Sequence, residues 1–165
     1  MNKILLIMVM ILPLSLFSVT SDKHGIITKK SSVDVKTTMD RLEMIIKQKG
    51  LTLFARINHK ENAKNAGGAK LNDAEVIIFG NPKVELRMLT RDPKAGLDLP
   101  FKMSAYKAKD GNIYLSYRDP RFYAKIYDLY GCKSKNTMSI LLNKLSDKVT
   151  LPPKDFKALS SSKKP

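Results

Sequence analysis

The chain has no tryptophan, two histidines, a single cysteine and half as many acidic as basic side chains, 15 against 30 in 165 residues. Each shortage excludes something. One cysteine, Cys132, permits no internal disulfide, so stability must come from a buried core. The residue itself is expected as a free, partly buried thiol, with an intermolecular bridge as the alternative. His24, His59 and Cys132 are too few to close a four-ligand structural zinc site; no metal site is expected, and carboxylates would hold a hard cation only weakly. The haem-attachment pattern, the Gly-x-Ser-x-Gly elbow, the phosphate-binding loop and the dinucleotide fingerprint are missing from the sequence, which leaves nucleophilic and nucleotide chemistry without a carrier. No cofactor is identified, and composition leaves open whether the protein is an enzyme.

Scarcity of acid gives a formal net charge of +15. The excess is uneven, net +6 falling in residues 131–165 alone. Lys144, Lys148, Lys154 and Lys157 in that part suggest weak contact with an anionic membrane, against the simpler reading of a solvated, solubilising surface. No stacking groove of interleaved aromatic and basic residues is present, so nucleic acid is not an expected partner. The long apolar run is confined to residues 4–17, after Lys3 and before the small residues Ser18, Val19, Thr20 and Ser21. That is the length and flanking of a signal peptide, shorter than the roughly 20 residues of a comfortable membrane span. Residues 1–20 are read as a cleaved signal, cut after Thr20 or Ser21, giving a periplasmic or secreted protein; an uncleaved membrane anchor is the alternative. Residues 21–150 form one domain, and 151–165 are expected as a disordered basic tail.

Within the domain, residues 25–31 form a first strand whose Lys29 and Lys30 suit a sheet edge. Val35, Met39, Leu42, Ile45 and Ile46 recur at helical spacing, with Ser32 or Asp34 to cap, Glu43 and Lys47 to pair, and Gly50 to stop. Leu51, Leu53, Ala55 and Ile57 alternate with Thr52, Phe54, Arg56 and Asn58, predicting a second strand. Residues 59–72 read as a loop with one helical turn near 61–66. A third strand spans 74–79, and Pro82 opens a short helix through Leu89. Residues 101–109 and 112–118 make a hairpin across Asp110-Gly111. A helix over 121–130 and another from Asn136 or Thr137 to Val149 complete the order. The expectation is an α+β two-layer sandwich, with a mostly antiparallel five-stranded sheet covered by helices on one face. Whether an exposed edge pairs two copies into a homodimer is open.

Several segments, in order, carry a resemblance: Ala55-Arg56-Ile57-Asn58-His59, Ile77-Ile78-Phe79-Gly80-Asn81-Pro82, Asp92-Pro93-Lys94-Ala95-Gly96-Leu97-Asp98-Leu99-Pro100, Asp110-Gly111 and Leu115-Ser116-Tyr117. Together they resemble the bacterial and archaeal family catalogued as domain of unknown function 302, over roughly residues 25–149. The resemblance implies a fold of the TATA-binding-protein-like α+β group, without implying DNA binding. It brings no activity, catalytic residue or cofactor. The family pattern has a polar residue and His at positions matching Asn58 and His59, the first more usually Asp; a role needing that carboxylate does not carry to Asn58.

In an antiparallel meander the loops after the third and fifth strands share one end, gathering Asn81, Arg91, Asp92 and Asp98 near Asp119. His59 and Asp110 fall at the other. The first group suits a small polar ligand, with Asn81 and Arg91 donating and Asp98 accepting; the plainer reading is that Asn81 and Asp98 tie down turns. His59 suits a general base, or a loop anchor. Tyr117 is a further ligand-binding candidate; Tyr123, Tyr127 and Tyr130, at i, i+4, i+7, would line one side of a helix, framing an apolar pocket or, on the plainer reading, packing with each hydroxyl at the rim. The expected function is an exported, non-enzymatic domain binding a small molecule or envelope component. The alternatives are a small hydrolase or lyase using His59 or the Asp92/Asp98 end, and a protein of the anionic membrane surface.

Overall fold

The computed structural model describes residues 21–68 and 70–161; the expected signal peptide at 1–20 and the last four residues of the expected tail lie outside them. Five strands, β1 Ile26–Ser31, β2 Thr52–Asn58, β3 Ala74–Gly80, β4 Phe101–Lys107 and β5 Ile113–Arg118, and five helices, α1 Val35–Gln48, α2 His59–Asn65, α3 Pro82–Leu89, α4 Ser134–Val149 and α5 Pro153–Ser161, follow one another as β1-α1-β2-α2-β3-α3-β4-β5-α4-α5. Every strand pairing is antiparallel, in the order β1-β5-β4-β3-β2. The lysine-bearing β1 is an edge, and the architecture is the expected α+β sandwich.

Side-chain alternation along the strands divides the sheet into two unlike faces. Ile27, Ile77, Phe79, Phe101, Met103, Ala105, Leu115 and Tyr117 are buried against Met39, Leu42 and Ile46 of α1 and Met138, Leu142 and Leu145 of α4. Each large apolar side chain buried this way contributes about 1.5–3 kcal/mol. Asp34 starts α1 by accepting the Thr37 N–H at 2.7 Å, and Glu43 and Lys47 pair at 2.7 Å. Residues between the core positions, including Thr28, Lys102, Ser104, Ser116 and Arg118, belong to the other face.

Four local expectations are corrected. The simple alternation of β2 fails because a bulge lies between Leu53 and Ala55. Beyond it Arg56 stands opposite the core residue Ile77 and reaches α1, donating to Asp40 and Glu43; Ala55 and Ile57 turn to the open face. An inserted residue reverses the inward set of everything after it.

Residues 121–130 are not an α-helix. Asp119 accepts the Arg121 N–H and starts a 3₁₀ segment, Pro120–Lys125. The chain then opens out, because the Tyr127 hydroxyl and the Asp128 N–H donate to Asp98 and Asp92 on the excursion after α3. Tyr123 is therefore buried while Tyr130 is 88% exposed, and the three tyrosines frame no common pocket.

Past Pro152, where a disordered tail was expected, the chain forms α5. The Phe156 ring lies 4.2 Å from the Arg41 guanidinium. Arg41 is buried and donates to the carbonyls of Val149 and Leu151, so one side chain of α1 anchors the end of α4 and seats α5. In the expected loop of 59–72, α2 is longer than one turn, and Asn58 caps it by accepting the Glu61 N–H.

Candidate functional site

The strand ends nearest α3 bring together residues far apart in sequence. Phe79 pairs with Phe101 and Ile26 with Arg118, so the loops after β3 and β5 meet at one end of the sheet. A notch of about 290 Å³ lies there, lined by Asp98, Lys102, Ser104, Ser116, Arg118 and Tyr123 together with Ile26 and Tyr117. Arg118 Nη1 donates to Asp98 Oδ1 at 3.1 Å, and the Tyr127 hydroxyl donates to Asp98 Oδ2 at 2.8 Å. The Asp98 carboxylate is thereby fixed from both sides. Lys102 Nζ donates to the carbonyls of Asp98 and Pro100 at 3.3 and 3.2 Å, which curls the cation over the start of β4. Hydroxyls continue the polar strip: Ser116 Oγ is 2.8 Å from Thr28 Oγ1 and 3.3 Å from the Tyr106 hydroxyl.

Packing behind the notch is aromatic. Tyr123 stacks on Phe101 with centroids 6.4 Å apart and meets the Tyr127 ring edge-on at 6.2 Å. The Arg118 guanidinium carbon is 5.9 Å from the Phe122 ring centre. Gly25 makes room for that ring: its φ is +76°, and a Cβ there would stand 2.3 Å from Phe122 Cγ. Both the backbone conformation and the space demand glycine. Arg118 Nε is shielded from solvent and has no acceptor among the described residues. A guanidinium offers five N–H donors in a planar fork, and here a single carboxylate answers them.

Burial raises the pKa of Tyr123, and burial with the adjacent Asp98 raises that of Tyr127. Both shifts favour the protonated hydroxyl, and that of Tyr127 is spent as the donor to Asp98. The notch presents two cations and several hydroxyls, with its one carboxylate already bonded. Cations and hydroxyl donors are the chemical complement of an anionic group, and no histidine, thiol or unpaired carboxylate is among the residues that line the notch. Among the described residues no group of three or more His, Cys, Asp or Glu is placed to hold a metal ion.

Of the residues singled out in the sequence, Asp98 stands in the notch with its carboxylate engaged. Tyr117 borders it through β5, but its side chain is 3% exposed on the helix face and its hydroxyl reaches Asn143 Oδ1 at 3.4 Å; burial pushes its pKa up to about 12. Asn81 caps α3, accepting the Lys83 N–H at 3.0 Å. Arg91 donates to the Tyr130 carbonyl at 3.2 Å. Asp92 is buried and accepts the N–H groups of Lys94 and Asp128. His59 is exposed at the opposite end of the sheet, opening α2. Asp110, at the tip of the β4–β5 hairpin, accepts from Asn112 and Tyr114. Lys102, Ser116 and Arg118 were not singled out. Their signal is the alternation of the two hairpin strands, where Lys102 interleaves with Phe101 and Met103 on β4, and Ser116 and Arg118 with Leu115 and Tyr117 on β5.

A crystal structure of an uncharacterised conserved DUF302 protein from Bacillus stearothermophilus superposes with a TM-score of 0.68 at 20% identity, over 77% of this chain and 98% of that one. This likeness establishes the fold. In sequence, the chain is 33% identical over 105 residues to the fluoride-specific ion channel FluC 1 of Brucella suis biovar 1, covering 64% of this chain and 41% of that protein. It is equally similar to the fluoride-specific ion channel FluC 2 of Brucella melitensis biotype 1, of which 38% is covered. The match thus spans about two-fifths of the length of these curated relatives. The pattern described as "Domain of unknown function DUF302" matches residues 27–149, and the chain belongs to that family.

Proposed function

We propose that this protein is a non-enzymatic binding domain, exported by residues 1–20, which takes a small anion in the notch beside Arg118. One observation carries the proposal: Arg118 lines the notch with a single carboxylate partner and a shielded Nε that has none. A carboxylate or phosphate oxygen pair is the usual complement of a guanidinium fork. Lys102 adds a second cation, and Ser104 and Ser116 add hydroxyl donors.

The likeness to proteins named as fluoride channels also favours an anion. Transport is not carried over, since the match spans about two-fifths of those proteins; among the described residues no helix is long and apolar enough to cross a membrane. Raised tyrosine pKa values and the doubly held Asp98 weigh against acid–base chemistry at this end.

The test is titration calorimetry and thermal unfolding with phosphate, succinate, acetate and fluoride, on the wild type and on Arg118→Gln. Saturation at about 100 times Kd stabilises the native state by about 2.7 kcal/mol, a rise in Tm of roughly 5–10 °C. The rise is expected for at least one of these anions and is lost in Arg118→Gln. No heat and no shift with any of the four overturns the proposal.

A further inference from the structure

The flank beside α3 carries exposed apolar side chains that core formation leaves unused. Leu86 is 60% exposed, Leu97 81%, Ile126 46% and Tyr130 88%. They crop out on two segments laced together in antiparallel order. Cys132 Sγ lies against the Arg87 carbonyl, Arg91 donates to the Tyr130 carbonyl, the Asp128 N–H donates to Asp92, and Tyr127 donates to Asp98. The lacing makes residues 83–98 and 125–133 one flank.

Exposed charge on this flank is six cations against one carboxylate. Lys83, Arg87, Arg91, Lys94, Lys125 and Lys133 are all exposed. Of the carboxylates on the same segments, Glu85 and Asp92 are buried, Asp98 is bonded to Arg118 and Tyr127, and Asp128 alone is exposed. The tail lysines, for which membrane contact is the alternative to a solvated surface, have less apolar company among the described residues, with Ile140 the large exposed hydrophobic on α4.

We propose that this flank docks on an anionic lipid surface, Leu86, Leu97, Ile126 and Tyr130 entering the headgroup region while the six cations meet lipid phosphates. Leucine and tyrosine tips ringed by lysine and arginine match the layered chemistry of that interface, apolar below and negative above. The charge complementarity selects lipid over a neutral apolar partner. The proposal does not depend on an anion in the notch.

Because the chain lacks tryptophan, Tyr130→Trp in the full chain gives a fluorophore that reads this flank alone, with His59→Trp as the control at the opposite end. With vesicles of phosphatidylglycerol and phosphatidylcholine, the reporter at 130 shifts to the blue and is quenched by brominated acyl chains. The control does not respond. Adding Lys83→Gln and Lys133→Gln moves the lipid titration roughly 25-fold towards higher lipid. An equal response to phosphatidylcholine alone, a response at 59 instead of 130, or no response at 130 overturns the proposal. So does a blue shift without lipid that grows with protein concentration, which would assign the flank to a second copy of this chain.

Discussion

Two half-buried arginines, Arg56 on β2 and Arg118 on β5, sit in the same sheet with opposite surroundings. Arg56 faces α1 and is bonded to Asp40, Glu43 and Glu75 at 2.7, 3.1 and 2.7 Å. Burial opposes its charge, but the three carboxylates outweigh that and hold its pKa above the usual guanidinium value. Arg118 lies on the open face with Asp98 alone and a shielded Nε lacking an acceptor. A cation answered by three acids is held in place, whereas one answered by a single acid beside a notch keeps N–H donors to spare.

The largest expected effect lies on the structural side. Arg56→Ala leaves Glu75 buried without its cation and sets three carboxylates against one another. The loss is about 2 kcal/mol at neutral pH, scaled down from a fully buried pair because Arg56 is 24% exposed. The pKa of Asp40 is lowered by Lys36 and Arg56 against burial, and that of Glu43 by Lys47 and Arg56. Stability from depressed carboxylates is present above their unfolded values and is lost as pH falls through the folded ones. Urea unfolding should therefore show the penalty of Arg56→Ala shrinking below about pH 4.

Next comes the support of the other arginine. Gly25→Ala is expected to cost about 2 kcal/mol, from a strained positive φ and displacement of Phe122. Anion binding should weaken with it, since Phe122 backs Arg118. A variant that unfolds at the wild-type midpoint would show that the Gly25–Phe122 approach is not tight.

Arg118→Gln sharpens the contrast further. Its stability should change by less than about 1 kcal/mol, the pair with Asp98 being partly solvated. Anion affinity should fall at least tenfold, as expected on losing a charge-assisted bond. If calorimetry instead found binding intact and stability lost, the two arginines would have exchanged roles.

The smallest effect separates the two ends by pH. Glu85 on α3 is buried over Gly80, where a Cβ would stand only 1.6 Å from Glu85 Oε1. Burial raises its pKa, partly offset by the Asn81 N–H, and Oε1 has no partner among the described residues. A raised pKa gives stability that is full at low pH and lost as pH rises through the folded value. Glu85→Gln should raise Tm at pH 7 and leave it unchanged near pH 4, the reverse of the trend around Arg56.

The sequence by itself determined the five strands with α1, α3 and α4 between and after them, the face that α1 and α4 bury and the hairpin at Asp110-Gly111, because periodicity and turn chemistry are local. Val35, Met39, Leu42 and Ile46 repeat at helical spacing whatever surrounds them, and Pro82 and Asp34 act within one turn. Which end of the sheet holds Asp98 also followed from strand counting. Tertiary structure alone decided the rest. The bulge after Leu53 turns Arg56 inward because carboxylates of α1 and β3 await it there. Tyr127 and Asp128 leave a helical path because Asp98 and Asp92 supply acceptors across the flank. The tail becomes α5 where Phe156 meets Arg41. Arg118 stands out only once Phe122, Gly25 and Asp98 are seen around it, since the shielding and pairing of a charge depend on neighbours that local pattern cannot place.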